Sequence, residues 1–338
     1  MTGEGSVQLD APPRVAVIIP THNRAALIGA ALDSVIEQTA GGPFEVAVVD
    51  DGSTDDTGRV MATYLERFGA PGGNVRVTYT KLEKQGVVAA RNTGIANTTA
   101  PYVAFLDSDD YWNRRKIELQ LRALEADDLV GVAHTSFRYV DEQGNFVDDG
   151  PQRVDNPCVG DCLEVLLDEF VIVFSSVLMR RSVIERAAGD ASHGLPFDPR
   201  WTNAQDYDLM LRAARLCRFA YVAEPLTYYR LHGGHGAMGN LKRAFGFHCR
   251  VQMAFAERYG EAHGLSMEAA KRRAANFLFG RAEAQFWQRR LTVARDLCDL
   301  AAELGVSDNR FAALRKRASI PRWVYRAKDA MDRLFKVV

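Results

Sequence analysis

Apolar and polar positions in the first third of the chain come in blocks rather than in alternation. Val15-Ala16-Val17-Ile18-Ile19 is an unbroken apolar run that stops at Pro20-Thr21-His22-Asn23-Arg24, and a helical pattern follows from Ala25 to Gln38. Phe44 to Val49 repeats the plan, ending at Asp50-Asp51-Gly52-Ser53-Thr54-Asp55 before a helix that runs to about Phe68. Val75 to Tyr79 reads as a third strand, Gly86 to Asn97 as a helix, and Tyr102 to Leu106 as a fourth strand. Short continuous apolar runs are the signature of strands covered on both faces. Their alternation with helices predicts βαβ units, an α/β class and a mostly parallel, Rossmann-like central sheet. In such a sheet the polar ends at residues 20–24, 50–54 and 107–110 share one edge, where open α/β sheets bind ligands.

The third of these ends carries the most chemistry. Asp107-Ser108-Asp109-Asp110 places three acids within four residues at a strand exit. Two readings stand open for this segment alone. Asp107 and Asp109 converge on a hard cation, magnesium or manganese, which a few carboxylates hold together with phosphate oxygens. Alternatively, an acid caps a helix introduced by Tyr111-Trp112. The companion strand ends favour a nucleotide site over an ordinary turn.

Four segments together resemble the family 2 glycosyltransferases with the GT-A fold: residues 18–24, residues 49–55, Gly86-Val87-Val88-Ala89-Ala90-Arg91-Asn92-Thr93-Gly94, and residues 105–112. The resemblance covers roughly residues 14 to 235. It implies transfer of a sugar from a nucleoside-diphosphate sugar, with a UDP-sugar favoured, to a hydroxyl of a saccharide or lipid-linked acceptor, as in surface polysaccharide synthesis. By it, Asp51 holds the nucleotide base, while Pro20, Thr21, His22, Asn23 and Ser108 line the nucleotide and Gly86 lets the backbone approach. A carboxylate that accepts from base N–H groups and a glycine that permits close contact suit those roles. Arg91 either orients the acidic loop, approaches the diphosphate or braces Asp51. Asp107 and Asp109 become the metal pair, Asp110 a helix cap, and Trp112 an anchor for its helix or a floor beneath the sugar.

In the second half, Asn203-Ala204-Gln205-Asp206-Tyr207-Asp208 resembles the family's acidic motif at a helix start, with Asp206 as the general base. A carboxylate at a helix N-terminus is expected to stay ionised. The family more often has Glu where Gln205 stands. Asp208 is expected to be structural. Phe170 to Met179 reads as a strand walling the acceptor cleft, and Leu226 to Tyr229 as the strand that closes the catalytic domain. His232, in a glycine-rich loop, falls where the family's histidine reaches the metal or diphosphate, and Arg230 and His235 are weaker candidates. Two other classes compete: a nucleotidyltransferase, which would carry a glycine-rich phosphate loop that residues 20–24 are not, and a sugar-nucleotide-binding protein without turnover, for which Gln205 is the best support.

Composition divides the chain. Hydrophobic residues make up 47% of it, enough for a substantial core, and the formal net charge is −1. From Leu241 onward, however, 20 Lys and Arg face 10 Asp and Glu, so a basic tail follows an acidic catalytic half. The expected organisation is a lead of residues 1–13, a GT-A domain of residues 14–240, with nucleotide half 14–112 and acceptor half 113–240, and a helical extension of residues 241–338. Helices are expected over Ala244–Tyr259, Met267–Gln288, Leu291–Leu304 and residues 321–338. The last sets Trp323, Ala327, Met331, Leu334 and Phe335 beside cations, which is consistent with peripheral contact at an anionic membrane or with ordinary docking. Aromatic interleaving is too sparse for nucleic acid. No signal-peptide pattern begins the chain, so the expected location is cytoplasmic, either free or peripheral on the inner face of the membrane. The five cysteines form no zinc pattern and are expected to be reduced thiols.

Overall fold

The structure is a computed structural model that describes residues 11–69, 74–147, 157–191, 193–231 and 240–320. The described residues fall into two compact units, divided between residues 233 and 234.

In the first unit the expected strands are joined by two that were not expected, at residues 111–112 and 130–140, in one eight-stranded sheet. The chain runs β1 (Val15–Thr21), α1 (Ile28–Ile36), β2 (Phe44–Asp50), α2 (Thr57–Phe68), β3 (Val75–Lys81), α3 (Val87–Ala96) and β4 (Tyr102–Phe105). It continues through β5 (Tyr111–Trp112), α4 (Lys116–Glu125), β6 (Val130–Val140), α5 (Leu163–Asp168), β7 (Leu178–Arg180), α6 (Arg181–Gly189), α7 (Gln205–Ala214) and β8 (Arg218–Arg230). Strand order is β3-β2-β1-β4-β7-β6-β8-β5. Strands β3, β2, β1 and β4 are parallel, and β6 pairs parallel with β8, while β7 and β5 run against their neighbours.

The unbroken apolar runs are explained by burial on both faces. Every residue of β1 and β2 is buried. Val15, Val17 and Ile19 pack in one core with Ile28, Leu32, Met61, Ile117 and Leu121 of α1, α2 and α4. Ile18 points the other way, against α3, so closely that a Cβ on Gly94 would lie 2.6 Å from its Cγ2. The glycine that ends the residue 86–94 motif is therefore a packing requirement: it lets α3 lie on the sheet.

Two expectations fail locally. Tyr111 and Trp112 do not introduce a helix; they form β5, antiparallel to β8, with Tyr111 opposite Tyr228. Strand pairing takes these two aromatics before α4 begins at Lys116. Phe170 to Met179 is not one strand either. A tight 3₁₀ turn at Phe174–Ser176 interrupts it, closed by Ser176 N–H to the Val173 carbonyl and Val177 N–H to that of Phe174, and only Leu178–Arg180 pairs. The Phe174 ring, stacked 4.5 Å from Phe105, favours the turn over the extended form.

The second unit contains α8 (Leu241–Tyr259), α9 (Met267–Trp287), α10 (Leu291–Glu303) and α11 (Asn309–Ala318) around Cys249, Leu278, Phe286, Leu297 and Phe311. Side chains of Asn240, Ser266 and Asp308 cap three of these helices. No helix among the described residues is long and apolar enough to cross a membrane. The proposed membrane-facing segment, residues 321–338, lies outside the described residues, as do His232 and His235.

Candidate active site

The carboxyl ends of β1, β2 and β4 lie side by side because the strands are parallel neighbours, and their loops are bonded together. Asn23, with φ of 51°, is the joint. Its N–H donates to Ser53 Oγ at 2.8 Å, and its Oδ1 accepts from the N–H groups of Thr54 and Asp55 at 2.8 and 3.4 Å. Asparagine tolerates this backbone conformation, and its amide oxygen takes up donors that a turn leaves unpaired. Arg24 extends the junction to the third strand end, with its guanidinium 3.4 Å from Asp109 Oδ2.

Asp50 and Asp51 face different tasks. Asp50, fully buried, accepts from Ser53 N–H at 2.7 Å and from the Tyr79 hydroxyl. Asp51 accepts from the N–H groups of Gln85 at 2.6 Å and Gly86 at 2.9 Å. It thereby fixes the loop that enters α3. Gly86 has φ of 93°, and a Cβ there would meet nothing within 4 Å. Its need for glycine comes from the backbone angle, and the space beside it is open.

Arg91, one turn into α3, is 3% exposed and lies between the rings of Phe174 and Phe197, 4.7 and 5.6 Å from their centroids. Its Nη2 donates to Asp107 Oδ1 at 2.7 Å. Of the three roles expected for Arg91, the geometry realises the bracing of the acidic loop; Asp51 is bonded elsewhere.

Asp206 comes to the same place from the far side of the sheet sequence. Asn92, beside Arg91, pairs with both backbone groups of Phe197, its Nδ2 donating to the carbonyl at 2.8 Å and its Oδ1 accepting the N–H at 2.9 Å. Asp208 holds Arg212 through two bonds of 3.0 and 2.7 Å, and Arg212 donates to the carbonyls of Ala187 and Pro196. Asp208 is thus structural, as expected. These ties bring the start of α7 against α3. Burial raises the Asp206 carboxyl above its ordinary range, opposed by the positive charge of Arg91 and by the Tyr207 N–H, and assisted by the negative charge of Asp107. The lowering effect expected of the helix end is outweighed here by desolvation, so the shift is upward. Ala204, just ahead of the helix, sits at φ 59°, a left-handed conformation that costs a non-glycine residue about 1 kcal/mol.

Asp110 is not a helix cap. It is buried, accepts from Ser175 Oγ–H at 2.5 Å and from Arg230 N–H at 2.9 Å, and its carboxyl is pushed well up by burial and by Asp109 and Asp107. Arg230, rated low from sequence, binds the Asp109 carbonyl through Nε at 2.8 Å and the carbonyls of Asp141 and Glu142 through Nη1. Trp112 is a core residue, 3% exposed, with Nε1–H donating to the Ser175 carbonyl and Lys116 Nζ 4.0 Å from its ring centroid. Ser108 is 5% exposed. Sequence reading missed Ser175 altogether, since nothing marks a serine within an apolar run as a partner of acids 65 residues earlier.

Several buried polar atoms at this edge have no hydrogen-bond partner among the described residues: Thr21 Oγ1, His22 Nδ1, Arg91 Nε and Nη1, and Gln205 Oε1. Asp107 and Asp109 keep 39% and 21% of their side-chain surface exposed. No group of three or more His, Cys, Asp and Glu able to hold a metal occurs among the described residues. Two partly exposed carboxylates beside unfilled donors fit a hard divalent ion that takes its remaining ligands from water and phosphate. They do not make an all-protein cage. The cysteines are unpaired.

A crevice at the carboxyl edge of a curled, mostly parallel sheet, with an acid pair at a central strand end, defines a GT-A fold. The chain belongs to glycosyl transferase family 2, whose model matches residues 16–187, just over half of it. It is 32% identical over 219 residues to the amylovoran biosynthesis glycosyltransferase AmsB of Erwinia amylovora, covering 64% of this chain and 69% of that one. The chain spans about a fifth of the length of the curated relatives to which it is 36–37% identical over 135 residues. TarS 1–349 of S. aureus in complex with UDP-GlcNAc superposes with a TM-score of 0.63 at 18% identity, over 89% of this chain and 83% of that one. Mannosyltransferase PcManGT of Pyrobaculum calidifontis, in complex with GDP-Man and Mn2+, gives 0.56 at 22% identity, over 92% and 80%. Both likenesses are of fold.

Proposed function

We propose that this protein transfers a sugar from a nucleoside-diphosphate sugar, a UDP-sugar in preference, to an acceptor hydroxyl with inversion, in polysaccharide or glycoconjugate synthesis. The observation that carries the reading is the meeting of Asp206, Arg91 and Asp107 beside buried polar atoms without protein partners. Such atoms are costly unless a ligand completes them. The same strand-end acids in a binding protein would need no half-buried carboxylate whose pKa desolvation raises, so Asp206 favours turnover over the binding-only alternative.

In this reading Asp51 and the Thr21-His22 pair hold the nucleoside, the open space at Gly86 admits its backbone contact, and Asp107 and Asp109 hold magnesium or manganese. The ion supplies charge stabilisation to the departing diphosphate. Arg91 keeps Asp107 in place and its unfilled donors face the same charge. The acceptor oxygen bonds to the anomeric carbon as the bond from that carbon to the diphosphate oxygen breaks. Asp206 takes the acceptor's hydroxyl proton. Its raised pKa makes it a stronger base than an ordinary aspartate, while Arg91 and the Tyr207 N–H favour its ionised form.

A thermal-shift panel of UDP, GDP, dTDP and CDP with and without manganese tests the reading, because ligand binding raises the melting point by mass action. One nucleotide is expected to stabilise the protein, more with manganese than without. Absence of any shift sinks the proposal. A cytoplasmic location, with residues 321–338 touching an anionic membrane, completes the proposal, and loss of vesicle co-sedimentation on deleting them is its test.

A further inference from the structure

The acidic loop is not held by its own turn alone. Asp110 N–H donates back to the Asp107 carbonyl at 3.0 Å, and beside the arginines a further set of anchors comes from the 3₁₀ turn at Phe174–Ser176, some 65 residues later in the chain. Ser175, 1% exposed, has all its side-chain hydrogen-bonding capacity directed at this loop. Its Oγ accepts from Asp107 N–H at 3.1 Å and donates its own proton to Asp110 Oδ2 at 2.5 Å. Its carbonyl accepts from Trp112 Nε1–H at 2.7 Å. A single residue thus touches the backbone of the first acid, the side chain of the third, and the ring that follows them.

Asp107 N–H can only donate, and Ser175 is oriented to donate onward to Asp110. A hydroxyl has one proton; given to Asp110, it leaves only lone pairs for Asp107 N–H. The chain Asp107 N–H to Ser175 O–H to Asp110 carboxylate sets the spacing between the two ends of the tetrapeptide from outside it. Arg230 closes the other side, with its N–H on Asp110 Oδ1 and its Nε–H on the Asp109 carbonyl. Without these partners the buried Asp110 carboxyl is left unsatisfied, and the loop relaxes outward.

Resting on the proposed function, we propose that Ser175 is a positioning residue for divalent-metal binding. It touches neither ion nor substrate and acts by holding Asp107 and Asp110 so that Asp107 and Asp109 present their carboxylates together. A carboxylate pair displaced by about 1 Å loses its hold on a small octahedral ion while the base-binding loop at Asp51, on another strand, is untouched.

The test is calorimetric titration of UDP, with and without manganese chloride, into wild type, Ser175→Ala, Ser175→Cys, Asp110→Asn and the Ser175→Ala/Asp110→Asn double variant. Ser175→Ala is expected to raise the manganese concentration at half-saturation about ten-fold while metal-free UDP affinity stays within two-fold. Ser175→Cys, of similar size and a weaker donor, falls between. The double variant is expected to lose no more than the worse single variant, since the two residues act through one bond. Unchanged manganese dependence in Ser175→Ala overturns the inference. So does a parallel loss of metal-free affinity and melting temperature, which marks general packing, or fully multiplicative losses in the double variant. If wild type itself binds no UDP with manganese, and none of the other three diphosphates either, the proposed function falls first and this inference with it.

Discussion

Arg91 and Asp107 form a 2.7 Å ion pair in which the cation is 3% exposed and the anion 39%. The asymmetry matters. The guanidinium, between Phe174 and Phe197, has lost its water and is ion-paired with Asp107, whereas Asp107 still faces the crevice. A buried charge with a solvent-facing partner is poised to respond to whatever enters beside it. The same cation lowers the pKa of Asp206 against the pull of burial.

Arg91→Met therefore has a predicted kinetic signature. Removing the positive charge leaves burial and Asp107 to raise the Asp206 carboxyl further, so the acid limb of the pH–rate profile moves to higher pH. Activity at neutral pH falls by roughly ten-fold or more, the lower end of what general-base catalysis supplies. An acid limb in the same place separates Arg91 from Asp206.

Asp206→Asn is predicted to lower transfer by about 10² to 10⁴ while nucleotide affinity stays within a few fold. It is also predicted to raise the melting temperature at neutral pH. The sign follows from linkage: a carboxyl whose pKa is raised on folding contributes stability below its unfolded pKa and loses it as pH rises through the folded value. At pH 7 the ionised group opposes folding, and the amide removes that opposition. Scanning calorimetry from pH 4 to 8 would give a gap between variant and wild type that widens with pH; a gap that narrows contradicts the assignment.

Asp51→Ala and Asp109→Ala are predicted to separate two contacts of one ligand. The first weakens nucleotide binding with or without metal, both by removing a base contact and by releasing the Gln85 and Gly86 N–H groups. The second abolishes only the manganese-dependent part. Equal behaviour of the two variants in the thermal-shift panel would refute separate sites.

Gly86→Ala is predicted to cost about 1 kcal/mol of stability through its positive φ, with no clash inside the protein. Nucleotide binding is predicted to fall more than stability does, since the added methyl projects into open space at the crevice. Urea denaturation beside nucleotide titration reads the two effects separately.

Much of this was legible along the chain. The block pattern of Val15–Ile19, Phe44–Val49 and Tyr102–Leu106 determined parallel strands with aligned ends, because only a strand buried on both faces has no polar alternation. The four motifs marked Asp51, Arg91, Asp107 and Asp109 as candidates, and the acidic segment at residues 203–208 marked Asp206. The tertiary structure decided what local pattern does not encode. Tyr111-Trp112 and Phe170–Val177 carry strong local preferences that pairing with β8 and packing on Phe105 overrode. Asp206 looked like an exposed helix-start acid until Asn92 and Arg212 drew its helix onto α3 and desolvated it. Asp110 looked like a cap until Ser175 and Arg230 reached it from residues far along the sequence. Hydrophobic periodicity is set by neighbours a few positions away, so sequence reports it directly. A pKa and a hydrogen-bond partner are set by whatever lies within a few ångströms in space, and only the folded chain brings those groups together.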